Sequence, residues 1–296
     1  MPVTNTLLKP ATYQAFRNLE ILARTVVEGF LSGLHRSPFK GFAIEFAEHR
    51  PYVHGDDLRH LDWKVLGKLN RYYVKQYEED TSLRAYIVLD TSASMAYGPG
   101  THTKLDYGRF IAGVMSYLLL QQQDSVGLVT CDNAITTYLP PRSTRQHFKR
   151  MMDTLAEAEP QNETSLGEVL HMLAERIRRR ALIILISDFF EDPDGISLAL
   201  NHFAHKRHEV IVFRVLHRNE STFPFDYPTR FEDLETPAFE LVTPNQLRRA
   251  YLRSFEEHRE KIRRTCHQRR IDFVEMYTDE PFERSMARYL TERLKR

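Results

Sequence analysis

The chain has little of several things, and each shortage excludes a class of protein. It has two cysteines in 296 residues, Cys131 and Cys266, far apart and without metal-ligand spacing. A disulfide framework and a cysteine-based zinc site are excluded, and a reducing compartment is expected. No window approaches the roughly 20 consecutive apolar residues that cross a bilayer. The start, Met1-Pro2-Val3-Thr4-Asn5, lacks a charged-then-apolar leader, so a cytoplasmic location is expected. Charge of one sign is also missing: 41 Lys and Arg against 40 Asp and Glu leave +1. That balance argues against a nucleic-acid binder. Glycine is sparse, and no Gly-rich loop ends in a Lys, so the chain carries no Walker-type nucleotide site.

What is present is a mixed soluble composition, 42% hydrophobic and 27% charged, in a chain long enough for a sizeable core. A helical pattern over 11–34 stops at Ser37-Pro38, and strands are expected at 39–46 and 72–78. Then apolar runs alternate with amphipathic stretches. Strands are expected at 83–89, 126–131, 134–139, 181–187, 210–216 and 271–277. Helices are expected at 104–122, 144–157, 165–179, 194–206, 244–268 and 282–294. This alternation specifies an α/β fold, a doubly wound and mostly parallel central sheet, preceded by an N-terminal helix and a β-ribbon. Two parts are expected: 1–80, and a main domain over 81–296 with an irregular insertion at about 218–243. The insertion holds Pro224, Pro228 and Pro237 among Phe223, Phe225, Tyr227 and Phe231.

The run Ala85-Tyr86-Ile87-Val88-Leu89 leads into Asp90-Thr91-Ser92-Ala93-Ser94. Polar groups just past the carboxyl end of a buried parallel strand face the crevice where such sheets bind ligands. One carboxylate and two hydroxyls at alternate positions on a tight turn suit a hard divalent cation such as Mg2+, which takes oxygen ligands at about 2.0–2.1 Å. Thr164 precedes a later helix, and Asp188 follows the apolar run 181–187. Ser165 with Glu168 also matches a helix capping box.

A strand-end Asp-x-Ser-x-Ser, a loop Thr and a second strand-end Asp resemble the metal-ion-dependent adhesion site of von Willebrand factor A-like domains. The resemblance implies that Asp90, Ser92, Ser94, Thr164 and Asp188 hold Mg2+, with Mn2+ or Ca2+ as alternatives, directly or through water. It also implies an open coordination position for a partner's Asp or Glu. Upstream, Tyr52-Val53-His54-Gly55-Asp56-Asp57-Leu58-Arg59-His60-Leu61-Asp62-Trp63 resembles the bacterial family of domains of unknown function numbered 58. Phe231-Glu232-Asp233-Leu234-Glu235-Thr236 resembles it too, and the likeness runs from about residue 35 to the C-terminus. Members are typically encoded beside MoxR-type AAA+ ATPases, which implies an adaptor partnered with such an ATPase or its client.

The leading functional expectation is therefore a metal-dependent protein-interaction module rather than an enzyme. The alternative is a metal-dependent phosphoester hydrolase using Asp90. Asp90 at a strand end resembles the aspartyl nucleophile of haloacid dehalogenase-like phosphatases, but Ser92 stands where those need a second Asp, and no His or Cys beside the ligand set offers a general base. Gly55, Asp56, Asp57, Arg59, Asp62 and Trp63 form a possible second functional segment, or an ion-paired turn anchored by Trp63. The stretch 244–270 carries nine Arg or Lys, read first as a solvated face.

Overall fold

In the computed structural model, the described residues are 83–98, 102–161, 165–232, 234 and 239–294, with 19, 23–28, 46–51, 67 and 72–77 before them. Residues 23–28 are helical. An antiparallel ribbon follows, β1 (Phe46–Pro51) against β2 (Tyr73–Tyr77). Of the strand expected at 39–46, residues 39–45 lie outside the described residues, and Phe46 opens β1.

The central sheet contains β3 (Arg84–Asp90), β4 (Ser125–Cys131), β5 (Ile135–Arg142), β6 (Leu182–Ser187), β7 (Glu209–Leu216) and β10 (Asp272–Tyr277). Its order is β10-β7-β6-β3-β4-β5, parallel except for the β4–β5 pair. Counted along the chain within this sheet, the order is 6-5-4-1-2-3, the doubly wound arrangement. Strands buried on both faces read as unbroken apolar runs. All six residues of β6 are buried, and in β3 and β4 only the first residue is not.

The helices cover both faces. On one side α1 (Lys104–Gln121), α2 (Arg145–Glu157), α7 (Phe282–Leu294) and Leu19, Ala23 and Val27 enclose Ile87, Leu89, Leu128, Ile184 and Phe213. On the other, α3 (Leu166–Arg176), α4 (Pro193–His205) and α6 (Pro244–Gln268) enclose Tyr86, Val88, Val129, Ile183, Leu185 and Val212. Alternate residues of each strand thus supply different cores. Cys131 and Cys266 are small buried members of the second.

Gly127 marks the bend in the β4–β5 pairing. The register shifts between Val126 and Leu128, and a Cβ on Gly127 would lie 2.6 Å from the Leu139 carbonyl oxygen. The bulge brings backbone too close for any side chain.

Residues 218–243 are less irregular than their prolines indicate. They hold a short helix, α5 (Arg218–Thr222), and an antiparallel hairpin, β8 (Thr229–Glu232) with β9 (Phe239–Val242). Phe223 enters α6's surface through Tyr251 at 4.6 Å and stacks on Phe231 at 5.5 Å, so aromatic packing orders this segment. Helix α3 stops at Arg176 rather than 179, and the Arg176 guanidinium lies 3.7 Å from the centre of the Tyr138 ring. On α6, Phe255 and Ile262 are buried as the apolar stripe predicts, but Leu247 is exposed. Several of its basic residues are paired: Arg259 with Glu275 and Glu256, Lys261 with Asp194, Arg263 with Glu260. No helix among the described residues is long and apolar enough to cross a membrane.

Candidate functional site

The chain winds outward in opposite directions from β3 and from β6, which pair directly. Their carboxyl ends therefore form the crevice at the switch point, where open α/β sheets bind ligands. Asp90 closes β3, and Asp188 follows β6; both are buried. Ser92 caps, and Ser94 lies within, a single 3-10 turn (Ala93–Ala96). The Thr91 N–H continues the strand pairing by donating to the Cys131 carbonyl at 2.7 Å, which fixes where the turn begins.

The side chains form one polar path. Asp90 accepts from the Ser92 N–H at 2.8 Å and from the Ser187 hydroxyl at 2.6 Å. The Ser92 and Ser94 hydroxyls are 3.1 Å apart, and Ser94 faces Asp188, where it helps hold that carboxyl down. Asp188 also accepts the Phe190 N–H at 3.1 Å. Burial, and then the negative charge of Asp188, push the Asp90 carboxyl up to about 7, against the hydrogen bonds from Ser187 and Ser92.

Asp188 has a strong cationic neighbour. Lys104 Nζ lies 2.5 Å from Asp188 Oδ2 and 2.8 Å from Glu220 Oε1, with the lysine wholly enclosed. Burial alone pulls an ammonium pKa down, but the charges of Asp188 and Glu220 outweigh it and hold Lys104 above its ordinary value. Burial likewise raises Asp188, yet the Lys104 charge outweighs it and holds that carboxyl below its ordinary value. Local capping places these groups. Thr103 and Asp106 form a reciprocal capping box that starts α1 at Lys104, and His217 and Glu220 form another that starts α5. Behind the crevice, buried Arg214 donates from Nε to the Asp188 carbonyl at 3.1 Å.

Of the expected ligands, Asp90, Ser92, Ser94 and Asp188 come together here. Thr164 lies outside the described residues, as do Gly55, Asp56, Asp57, Arg59, Asp62 and Trp63. On either side of Thr164, the Gln161 N–H donates to the Thr91 carbonyl at 2.9 Å, and the Ser165 N–H approaches the Asp132 carbonyl at 3.4 Å. Ser165 takes the N-cap position of α3 but makes no side-chain capping bond. The expected capping box is replaced by Glu191, whose carboxylate accepts the Gly167 N–H at 2.9 Å. A carboxylate 24 positions away takes the N–H that the Ser165 hydroxyl leaves.

Sequence reading missed Lys104, Ser187 and Glu220. Lys104 did leave a trace: a cation at the first position of a helix opposes the helix dipole and needs a partner.

Among the described residues, no three His, Cys, Asp or Glu side chains gather as metal ligands. The donors here are two carboxylates and two hydroxyls, an oxygen-only set that fits a hard cation and not zinc. Asp188 is engaged by Lys104, so Asp90, Ser92 and Ser94 are the donors suited to direct contact.

Strand order and crevice define a doubly wound, mostly parallel α/β domain with its polar side chains at the switch point. Residues 48–261 match the family model described as "Protein of unknown function DUF58", and the chain belongs to that family. It is 28% identical over 288 residues to uncharacterized proteins of Mycobacterium tuberculosis and Mycobacterium bovis, covering 96% of this chain and 90% of each relative. Among solved structures, it is similar to the conserved hypothetical protein BatB from Bacteroides thetaiotaomicron, with TM-score 0.47 and 16% identity. That likeness covers 72% of this chain and 100% of the other. The VWA domain of SpRpn10 gives TM-score 0.39 and 12% identity over 70% of this chain and 94% of that one.

Proposed function

We propose that this chain is a protein-interaction module in which Asp90, Ser92 and Ser94, completed by Asp188 and Thr164, hold a divalent cation, Mg2+ before Mn2+ or Ca2+. A cation bound there supplies an electrophilic centre for an Asp or Glu carboxylate of a partner protein. One observation supports the reading: the side chains of Asp90, Ser92, Ser94 and Asp188, oxygen donors alone, gather at the switch-point crevice. Asp90 and Asp188 set the negative charge of the crevice, and the hydroxyls add donors without adding charge. The surrounding burial keeps water from screening these groups. The partner we propose is a MoxR-type AAA+ ATPase or a client of one.

The test is co-purification from native lysate, read by mass spectrometry, for wild type and Asp90→Ala in Mg2+ and in EDTA. An ATPase that appears only with wild type in Mg2+ is the expected result. The same proteins in all four conditions would sink the reading. Turnover of p-nitrophenyl phosphate by wild type, lost in Asp90→Asn, would favour the hydrolase alternative instead.

A further inference from the structure

Lys104 is among the largest fully enclosed side chains of the molecule, and it opens a helix, where the dipole disfavours a cation. A buried ammonium persists only with compensating charge and hydrogen bonds. Here that compensation comes from two carboxylates in different parts of the chain, Asp188 at 2.5 Å and Glu220 at 2.8 Å. Asp188 belongs to the crevice; Glu220 does not. Glu220 sits in α5, its second carboxylate oxygen accepts the His217 N–H at 2.6 Å, and its carbonyl accepts the Tyr251 hydroxyl of α6 at 2.8 Å.

We propose that Lys104 is the resident counter-charge of the crevice, shared between Asp188 and Glu220, and pairs with Glu220 alone when a divalent cation is held at Asp90, Ser92 and Ser94. The proposal rests on the cation-site reading above. An ammonium and a divalent cation repel, and inside the protein that repulsion is weakly screened. Both cannot neutralise Asp188 in full. Lys104 has its second acceptor within hydrogen-bond distance, so the exchange needs no large movement. Two consequences follow for the site. Lys104 raises the concentration of cation needed for occupancy, and Glu220 lowers it by offering the lysine somewhere else to pair. Because Glu220 lies in the helix that leads to the β8–β9 hairpin, occupancy is also felt outside the crevice.

The experiment is Mn2+ binding to the full chain, measured by electron paramagnetic resonance, for wild type, Lys104→Met, Glu220→Gln and Asp90→Ala. Lys104→Met is expected to bind Mn2+ at least tenfold more tightly, and Glu220→Gln about tenfold more weakly. Opposite signs from the two ends of one ion pair are not what mere structural damage produces. Hydrogen exchange over Arg218–Thr222 should also change on Mn2+ addition in wild type and not in Asp90→Ala. If Lys104→Met binds equally or more weakly while Asp90→Ala abolishes wild-type binding, the role of Lys104 is overturned and the cation site stands. Should Lys104→Met not fold, Glu220→Gln decides alone, and an unchanged affinity overturns the proposal. Mn2+ binding by none of the four overturns both readings.

Discussion

Replacing Asp124 by Asn should stabilise the protein at pH 8 and not at pH 4. Asp124 follows α1 and precedes β4, and it is buried with 1% of its surface exposed. Its Oδ1 accepts the Leu83 N–H at 2.9 Å, and its Oδ2 is enclosed with no hydrogen-bond partner. Burial pushes this carboxyl from its ordinary 3.8 up to about 6, against that one hydrogen bond. The folded pKa lies above the unfolded one, so the folded state holds the proton longer. Below pH 3.8 both states are protonated and the group has no effect; as pH rises through 6 the folded state loses stability. A shift of roughly two units corresponds to about 3 kcal/mol. Asn keeps the acceptor for Leu83 and removes the charge, but encloses an N–H that lacks an acceptor, at a cost of about 1–2 kcal/mol. The net expectation is about 1–2 kcal/mol of stabilisation at pH 8, and about 1 kcal/mol of destabilisation at pH 4. Urea unfolding of both proteins, followed by circular dichroism at the two pH values, measures it. A difference between the proteins that is the same at both pH values would refute the assigned cause.

Gly127→Ala should cost about 1–3 kcal/mol, because the new Cβ meets backbone of β5 that cannot yield; thermal melting checks it, and an unchanged midpoint counts against the close approach. Arg214→Met strips the Asp188 carbonyl of a donor and Glu275 of a guanidinium 3.8 Å away, but Glu275 keeps Arg259 at 2.5 Å. The loss should therefore be about 2–3 kcal/mol, below the 3–5 kcal/mol for breaking an isolated buried pair; combining it with Arg259→Met should cost more than the two single losses summed. Mg2+ at millimolar concentration should raise the melting temperature of wild type and leave Asp90→Ala unmoved. An equal rise in both would place the cation elsewhere.

How much of this could be read from the amino-acid order differs by the range of the interaction. Strands β3, β4, β6 and β7 were legible because a strand covered on both faces must be apolar throughout. Their alternation with amphipathic helices leaves few topologies. Asp90 and Asp188 stood out because polar residues that end such runs fall at the carboxyl edge. The hairpin β8–β9 did not stand out, since its exposed strands Thr229–Glu232 and Phe239–Val242 are short and flanked by prolines.

By itself, then, the sequence determined the doubly wound sheet, the strand-end carboxylates and the hydroxyls beside Asp90. Only the tertiary structure decided that Lys104 neutralises Asp188 from 84 residues away and Glu220 from 116, that Ser187 holds Asp90, and that Glu191 caps α3. The physical reason is that periodicity and capping record what a residue does within a turn or two. A buried charge finds its partner only after the layers have packed, and no local pattern encodes which carboxylate that will be.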